Sequence, residues 1–169
     1  MTQATIRPAA RRRAEDAAAE RILAGLSTIA RSISHVRLHE QLLGDAGVRV
    51  DRSGAALLSK LAASDDGSLR VTALAERLGV DTPTVTRKIQ QLERLGLVAR
   101  DADPDDRRAH RIRLTPDGRD TLDRLTAAKR RWLAALLDGW SAEDRTTFAE
   151  HLGAFAERLQ LALDGARVD

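Results

Sequence analysis

The stretch Leu95–Gly118 reads LGLVARDADPDDRRAHRIRLTPDG. Its first residues close a helix, because Gly96 followed by Leu97 has the form of a Schellman ending with its hydrophobic contact. Val98–Arg100 and His110–Leu114 are short enough for two strands. In the second, Ile112 and Leu114 alternate with Arg111 and Arg113, the pattern of a half-exposed strand. The segment between them, Asp103-Pro104-Asp105-Asp106-Arg107-Arg108, is acidic before it is basic. Thr115-Pro116 then opens another helix.

Upstream, residues 69–98 read LRVTALAERLGVDTPTVTRKIQQLERLGLV. Thr72 is expected to cap a short helix carrying Leu74, Ala75 and Leu78 on one side. Gly79 supplies the backbone freedom for a turn, with Val80 as its buried residue. Thr82 is expected to cap a second helix, with Pro83 at its first position where a missing N–H costs nothing. Val85, Ile89 and Leu92 form the inward face of that helix. Helix, turn, helix and a hairpin with arginines at its tip is the layout of a winged helix. The outward face of the second helix holds Thr82, Pro83, Thr84, Thr86, Arg87, Gln90, Gln91 and Arg94. Short hydroxyls permit close approach, Arg can bond guanine O6 and N7 bidentately, and Gln can do the same for adenine. A solvated helix face is also mixed polar. The cap, the glycine turn and the hairpin together favour a face that reads a DNA groove.

At the tip, free carboxylates beside DNA would repel it, so Asp106 and its acidic neighbours need a structural purpose. Holding Arg107 or Arg108 in a fixed direction through charge-assisted hydrogen bonds is one. A pre-oriented arginine entering a minor groove would favour narrow A·T-rich segments. A plain hydrophilic hairpin turn is the other reading of the same residues.

The flanks read as helices. Residues 1–14 form a basic tail expected to be disordered, ending in Arg11-Arg12-Arg13. One long helix is expected from Glu15 to Leu43. Ile22, Leu26, Ile29, Ile33, Val36 and Leu43 fall on a heptad-like seam, interrupted by Glu40, and Gly44 is its stop. Glu40 could face a pocket or pair with an arginine, but a frayed helix end is the preferred reading. A helix over Arg52–Ala63 uses Leu57, Leu58 and Leu61, and Ser64–Ser68 is a turn. After Thr115, Leu122, Leu125, Trp132, Leu133 and Leu136 mark one helix. Ser141 caps a last one carrying Phe148, Leu152, Phe155 and Leu159. The expected organisation is a tail (1–14), an N-terminal dimerisation helix (15–48), a winged helix-turn-helix (49–115) and C-terminal dimerisation helices (116–169). The fold class is mainly α with a small β-wing. The apolar stripes at the two ends exceed what a small winged helix can cover. Ile22, Leu26, Ile29, Phe148, Leu152 and Phe155 are therefore expected at a two-fold dimer interface.

Composition excludes several functions. Hydrophobic residues make up 43% of the 169, enough for an ordinary core. The aromatics are two Trp and two Phe, all near the C-terminus, which argues against single-strand binding on stacking platforms. The formal net charge is only +3, nearly all its positive part from arginine, so placement rather than total charge indicates a partner. No cysteine is present, which removes disulfides, thiolate metal sites and thiol redox sensing. No apolar run reaches the roughly 18 residues of a membrane span and the N-terminus lacks a signal-peptide h-region, so a cytoplasmic protein is expected. No nucleophile constellation or P-loop occurs, so no enzyme and no cofactor are expected. His35 and His39 have metal-compatible spacing with Glu40 adjacent. A solvated helix surface accounts for the trio as well, and no metal is assigned.

Residues 69–118 resemble the winged helix of the MarR (multiple antibiotic resistance regulator) family. The family signature, Asp-x-Arg, five residues, then Leu-Thr, is matched by Asp106-Arg107-Arg108, Ala109 to Arg113, and Leu114-Thr115. The recognition-helix pattern is matched by Thr86-Arg87, Leu92-Glu93, Gly96-Leu97 and Arg100. The resemblance implies Arg108 as a minor-groove arginine, Asp106 as its orienting acid, and Thr86 and Arg87 as recognition-helix contacts. It also implies a homodimer on a pseudo-palindromic operator, and a small-molecule effector in a crevice between the dimer helices and the winged helix. Lack of aromatic residues near that crevice weighs against an aromatic ligand, and lack of Cys removes the peroxide-sensing branch. The alternative is a winged-helix protein-interaction module that never touches DNA. The arginine-bearing wing and the Thr/Arg/Gln helix face argue against it.

Overall fold

The computed structural model describes residues 6–33, 35–103 and 110–165. The elements run α1 (Ile6–Ile33), α2 (Val36–Asp45), α3 (Arg52–Ala62), β1 (Ser68–Arg70), α4 (Val71–Leu78), α5 (Thr82–Arg94), β2 (Val98–Ala102), β3 (His110–Leu114), α6 (Pro116–Leu136) and α7 (Ala142–Gly165). They fall into two compact units, residues 1–128 and 129–169, with the division inside α6.

The core of the first unit is a set of aliphatic side chains from α3, α4, α5 and the sheet. Leu57, Leu58 and Leu61 of α3, Leu74 of α4, Ile89 of α5 and Ile112 of β3 are all fully buried. Each contributes about 1.5–3 kcal/mol by leaving water. The sheet order is β1-β3-β2, all antiparallel, with Leu69 opposite Ile112 and Val98 opposite Leu114. The alternation expected for β3 is present: Ile112 and Leu114 are buried while Arg113 is exposed. Strand β1 was not anticipated; three residues are too few to show a period, and β3 supplies the pairing that makes them a strand.

The connection between α5 and α6 is tied at several points. Gly96 (φ 72°) takes the left-handed conformation that lets Leu97 N donate to Leu92 O at 2.9 Å, which is the expected Schellman closure. Thr115 Oγ1 donates to Gly96 O at 2.6 Å and accepts from Gly118 N at 3.0 Å, so Thr115 caps α6 while holding the preceding turn. A Cβ on Gly118 would lie 2.0 Å from Leu97 O, so only glycine permits this approach. In the second unit Ser141 Oγ accepts from Asp144 N at 3.0 Å, the expected cap of α7.

Several local expectations need correction. The helix expected over Glu15–Leu43 is two helices, and the first begins at Ile6, within the stretch read as a disordered tail. Alanines at 9, 10, 14 and 17–19 give that segment high intrinsic helicity without any apolar period. Pro8 falls in the first turn, where no N–H is required. Between the helices His35 N donates to Ser32 O at 3.2 Å and His35 is extended (φ −69°, ψ 125°), so the heptad seam is not carried by one rod. The stop of α2 is Gly47 (φ 61°) rather than Gly44, closing a Schellman turn with Val48 N to Leu43 O at 3.3 Å. Helix α4 is preceded by Arg70 with no side-chain cap, and Thr72 lies inside it. Asp81, not Thr82, caps α5, since its carboxylate reaches the amide three residues on. Val80 is 45% exposed rather than buried. The Gly79 turn (φ 65°) is closed by backbone bonds, including Val80 N to Ala75 O at 3.1 Å, and does not need that side chain inside.

Candidate nucleic-acid interface

Helix α5 has two contrasting sides. Val85, Ile89 and Leu92 are buried, which fixes the rotation of the helix and turns Pro83, Arg87, Gln90 and Arg94 outward. At its start the Asp81 carboxylate accepts from Thr84 N at 2.6 Å. The Thr84 hydroxyl and amide hold the Asp81 carboxyl below its ordinary range, and the Arg87 charge adds to that. Thr82 and Thr84 are exposed beside it. Thr86 is half-buried and its hydroxyl donates back to Thr82 O at 2.8 Å. Arg94 Nε bonds Gln90 O at 3.2 Å. Among the described residues neither Arg87 nor Arg94 forms an ion pair. Apart from Arg94 Nε, their guanidinium donors are therefore uncommitted among the described residues. Gln91 differs from its expected companions: it is half-buried and its Oε1 accepts from Lys88 Nζ at 2.8 Å. That bond turns it toward α3 instead of outward.

Lys88 and Asp51 link α5 to the start of α3. Lys88 Nζ lies 2.6 Å from Asp51 Oδ2, and Asp51 also caps α3 by accepting from Gly54 N at 2.8 Å and from Ser53 Oγ at 3.1 Å. Partial burial opposes ionisation of Asp51, but the bonds from Lys88, Gly54 and Ser53 outweigh it and hold the carboxyl below its usual range. Neither residue stood out in the sequence. An Asp before Arg-Ser-Gly is a cap signal, but its second bond spans 37 positions.

The base of the hairpin is laced with arginine–carboxylate pairs. Arg70 of β1 grips Asp103 through Nε at 2.6 Å and a second nitrogen at 2.9 Å, and Asp103 is only 2% exposed. Arg100 pairs with Glu93 at 2.8 Å, Arg111 with Asp66 at 2.6 Å, and Arg113 with Asp101 at 2.5 Å. At Asp66 the Ser68 amide is the main influence, outweighing burial, and with the Ser68 hydroxyl and Arg111 it keeps the carboxyl below its ordinary range. Acids orienting arginines were expected at the tip; among the described residues they do so at the base. Asp106, Arg107 and Arg108 lie outside the described residues.

The apolar candidates at the chain's two ends are uncovered. Ile22 and Ile29 of α1 are about half exposed and Leu26 is half-buried. On α7, Phe148, Leu152 and Phe155 are each 40–46% exposed, and no residue of that helix is buried. Within the first unit a cavity of about 540 Å³ opens between α2, α3 and the turn joining α4 to α5. Glu40 lines it, so the interruption of the apolar seam faces a pocket and is not a frayed end. His39 lines it too, with Nδ1 3.4 Å from His35 O. Among the described residues no group of three metal-ligating side chains occurs, and no helix is long and apolar enough to cross a membrane.

Residues 54–110, from the first turn of α3 to the start of β3, match the MarR family model. Over these residues the chain is a MarR-family winged helix. A MarR-family winged helix accounts for the small sheet and for the position of α5 at the front of the unit. YdgJ of Bacillus subtilis (strain 168), an HTH-type transcriptional regulator, is 32% identical over 101 residues, 60% of this chain and 60% of its own length. The match thus spans three fifths of that relative. The HTH-type transcriptional repressor YetL of the same organism is 28% identical over 149 residues, 88% of this chain and 87% of its own. A mutant of MepR from S. aureus, solved bound to an oligodeoxyribonucleotide, superposes with a TM-score of 0.59 at 25% identity, over 79% of this chain and 97% of that one. The match to a family of transcriptional regulators bears out the expectation that the chain is not an enzyme.

Proposed function

We propose that this MarR-family chain is a sequence-specific transcriptional repressor that binds a pseudo-palindromic operator as a homodimer and is released by a small ligand. One observation carries the reading: the exposed side of α5 presents Pro83, Arg87, Gln90 and Arg94, its two arginines outside any ion pair among the described residues, directly opposite the buried Val85, Ile89 and Leu92. A helix so oriented offers guanidinium and amide groups to base edges in a major groove, while its N-terminal amides suit a phosphate. Arg108 enters the adjoining minor groove and Asp106 orients it, with Arg107 on the backbone. The oligonucleotide-bound MepR and the repressor YetL support the DNA-binding and repressor parts. Dimerisation through α1 and α7 would cover Ile22, Leu26, Ile29, Phe148, Leu152 and Phe155. It would also set two α5 helices about one DNA turn, roughly 34 Å, apart. Operator binding places the protein with the chromosome in the cytoplasm.

Anisotropy titration against an inverted-repeat duplex from the region upstream of its own gene tests this. Nanomolar binding that falls steeply with salt is expected, because each phosphate contact releases counterions. Failure to retain any such duplex at about 50 mM salt, where phosphate contacts are strongest, would remove the repressor reading. The protein-interaction alternative would then stand.

A further inference from the structure

The sheet changes width along its length, and one side chain spans the change. Strand β1 stops at Arg70, opposite Arg111 of β3, because Val71 begins α4. Strands β2 and β3 run on together to Ala102 opposite His110. Up to the Arg70 row the sheet is three-stranded; past it a two-stranded ribbon leads to the wing. Two-stranded ribbons twist more than wider sheets and are marginally stable alone. Ladder pairing by itself therefore sets the direction of the hairpin only weakly at its root. Asp103 lies two residues beyond Asp101, the β2 partner of Arg111. It is thus roughly 6–7 Å past the last row of β1. Arg70 covers that gap with its side chain, from one side of β3 to the other. Its Nε at 2.6 Å and a second nitrogen at 2.9 Å both donate to the Asp103 carboxylate. The Asp103 side chain is wholly withdrawn from solvent, so the pair is screened less than one at the surface. A two-point grip on a planar carboxylate fixes direction as well as distance. Arg70 also directly precedes α4, the first helix of the helix-turn-helix. The tie therefore runs from the start of the helix-turn-helix to the root of the wing.

We infer that Arg70 is a positioning residue for the wing. Its grip on Asp103 sets the twist of the β2–β3 ribbon where the third strand ends, and with it the angle between the wing and α5. The consequence for DNA rests on the repressor reading, in which α5 and the wing enter adjoining grooves. A ribbon free to twist keeps the wing arginine aligned with a minor groove for less of the time, which weakens the wing contact and spares those of α5.

Two variants of the full chain test this. Arg70→Met combined with Asp103→Leu replaces the pair by apolar side chains, which buried ion pairs often tolerate without loss of stability, and removes the directional tie. Arg70→Lys keeps a charge beside Asp103 and loses only the planar fork, so it should retain the parental melting curve. Hydrogen exchange on the free protein, followed by NMR, reads the ribbon directly. In the apolar variant the β2–β3 ladder amides around Ala102 and Arg111 should exchange about tenfold faster, with those of α5 unchanged. Affinity for an operator duplex should fall about tenfold in the apolar variant and about threefold in Arg70→Lys. The same changes should cost less than about twofold when Arg108→Ala is already present, because the wing then has no arginine left to aim. Base preference should relax at the pairs flanking the half-sites and persist at those facing α5. Parental exchange in both variants, losses that multiply with Arg108→Ala, or full affinity in the apolar variant would overturn the inference. Exchange is measured without DNA, so a loosened ribbon in a chain that binds no duplex would remove the repressor reading alone. A DNA-binding chain with parental exchange and affinity in both variants would remove the Arg70 assignment alone.

Discussion

Asp51 holds two helices at once, and two substitutions separate its tasks. Its carboxylate caps α3 by accepting from the buried Gly54 amide at 2.8 Å and pairs with Lys88 of α5 at 2.6 Å. Loss of a cap costs about 1 kcal/mol, toward 2 when the freed amide is buried. The ion pair joins side chains that are 55% and 19% exposed, so solvent screening limits it to about 1 kcal/mol or less. Asp51→Ala removes both and should destabilise by about 2 kcal/mol, which for a chain of this size lowers the melting temperature by about 4–8 °C. Asp51→Asn keeps a capping oxygen of equal rank and removes only the charge, so it should cost about 0.5–1 kcal/mol.

The pH dependence has a definite sign. The folded-state carboxyl is held below its ordinary value, so its contribution is complete above the unfolded value near pH 4 and is lost as pH falls through the folded one. Melts of the parent and of Asp51→Asn should therefore diverge at neutral pH and converge below about pH 4. Thermal and urea unfolding of both variants, with a Lys88→Met cycle to isolate the pair, measure all of this. Equal destabilisation by Asn and Ala would refute the capping role, and a gap that widens as pH falls would refute the pairing.

Gly118→Ala should destabilise by about 3 kcal/mol or more, because a Cβ 2.0 Å from Leu97 O forces the α5–α6 connection apart; a parental melting curve would show that the approach is looser than described. Arg87→Ala should weaken operator binding by about 1–3 kcal/mol and relax base preference at one position, while the fold is unchanged; a uniform loss across sequences would instead make it a phosphate contact. Arg108→Ala should weaken binding by a similar 1–3 kcal/mol and leave the dimer intact, and equal affinity of variant and parent would end the wing assignment. Phe155→Glu should yield monomers by analytical ultracentrifugation, since the residue is 42% exposed and lies on the face proposed to meet the second copy; a full dimer would place the interface elsewhere.

What was legible in the sequence was local. The Gly79 and Gly96 turns, the caps at Thr115 and Ser141, and the alternation in β3 each depend on residues within one turn or one strand. What was not legible depends on partners far along the chain. Strand β1 exists because β3 pairs with it 43 positions away, and Asp103 is buried because Arg70 reaches it across 33. The helix break at His35 was missed for a different reason: a heptad count scores apolar spacing and is blind to a polar residue whose backbone turns out of the helix. The early start of α1 was missed because alanine stabilises a helix without marking a face.

The same distinction separates the sides of α5. On α5 the residues at 83, 87, 90 and 94 form one exposed strip, which a helical wheel reveals at once. Thr84 and Lys88, one step around the helix, turn toward α2 and α3 and line the cavity. On a wheel they are merely the polar border of the reading face; only the fold sets Asp51 and Arg52 opposite them. The helix thus has three sides, one packed in the core, one exposed and one lining a chamber. Val85, Ile89 and Leu92 anchor the helix in a close-packed core, so its sides keep a fixed relation to one another. Arg87 and Gln90 are thereby held at a fixed angle to the core, which the proposed reading of a groove requires.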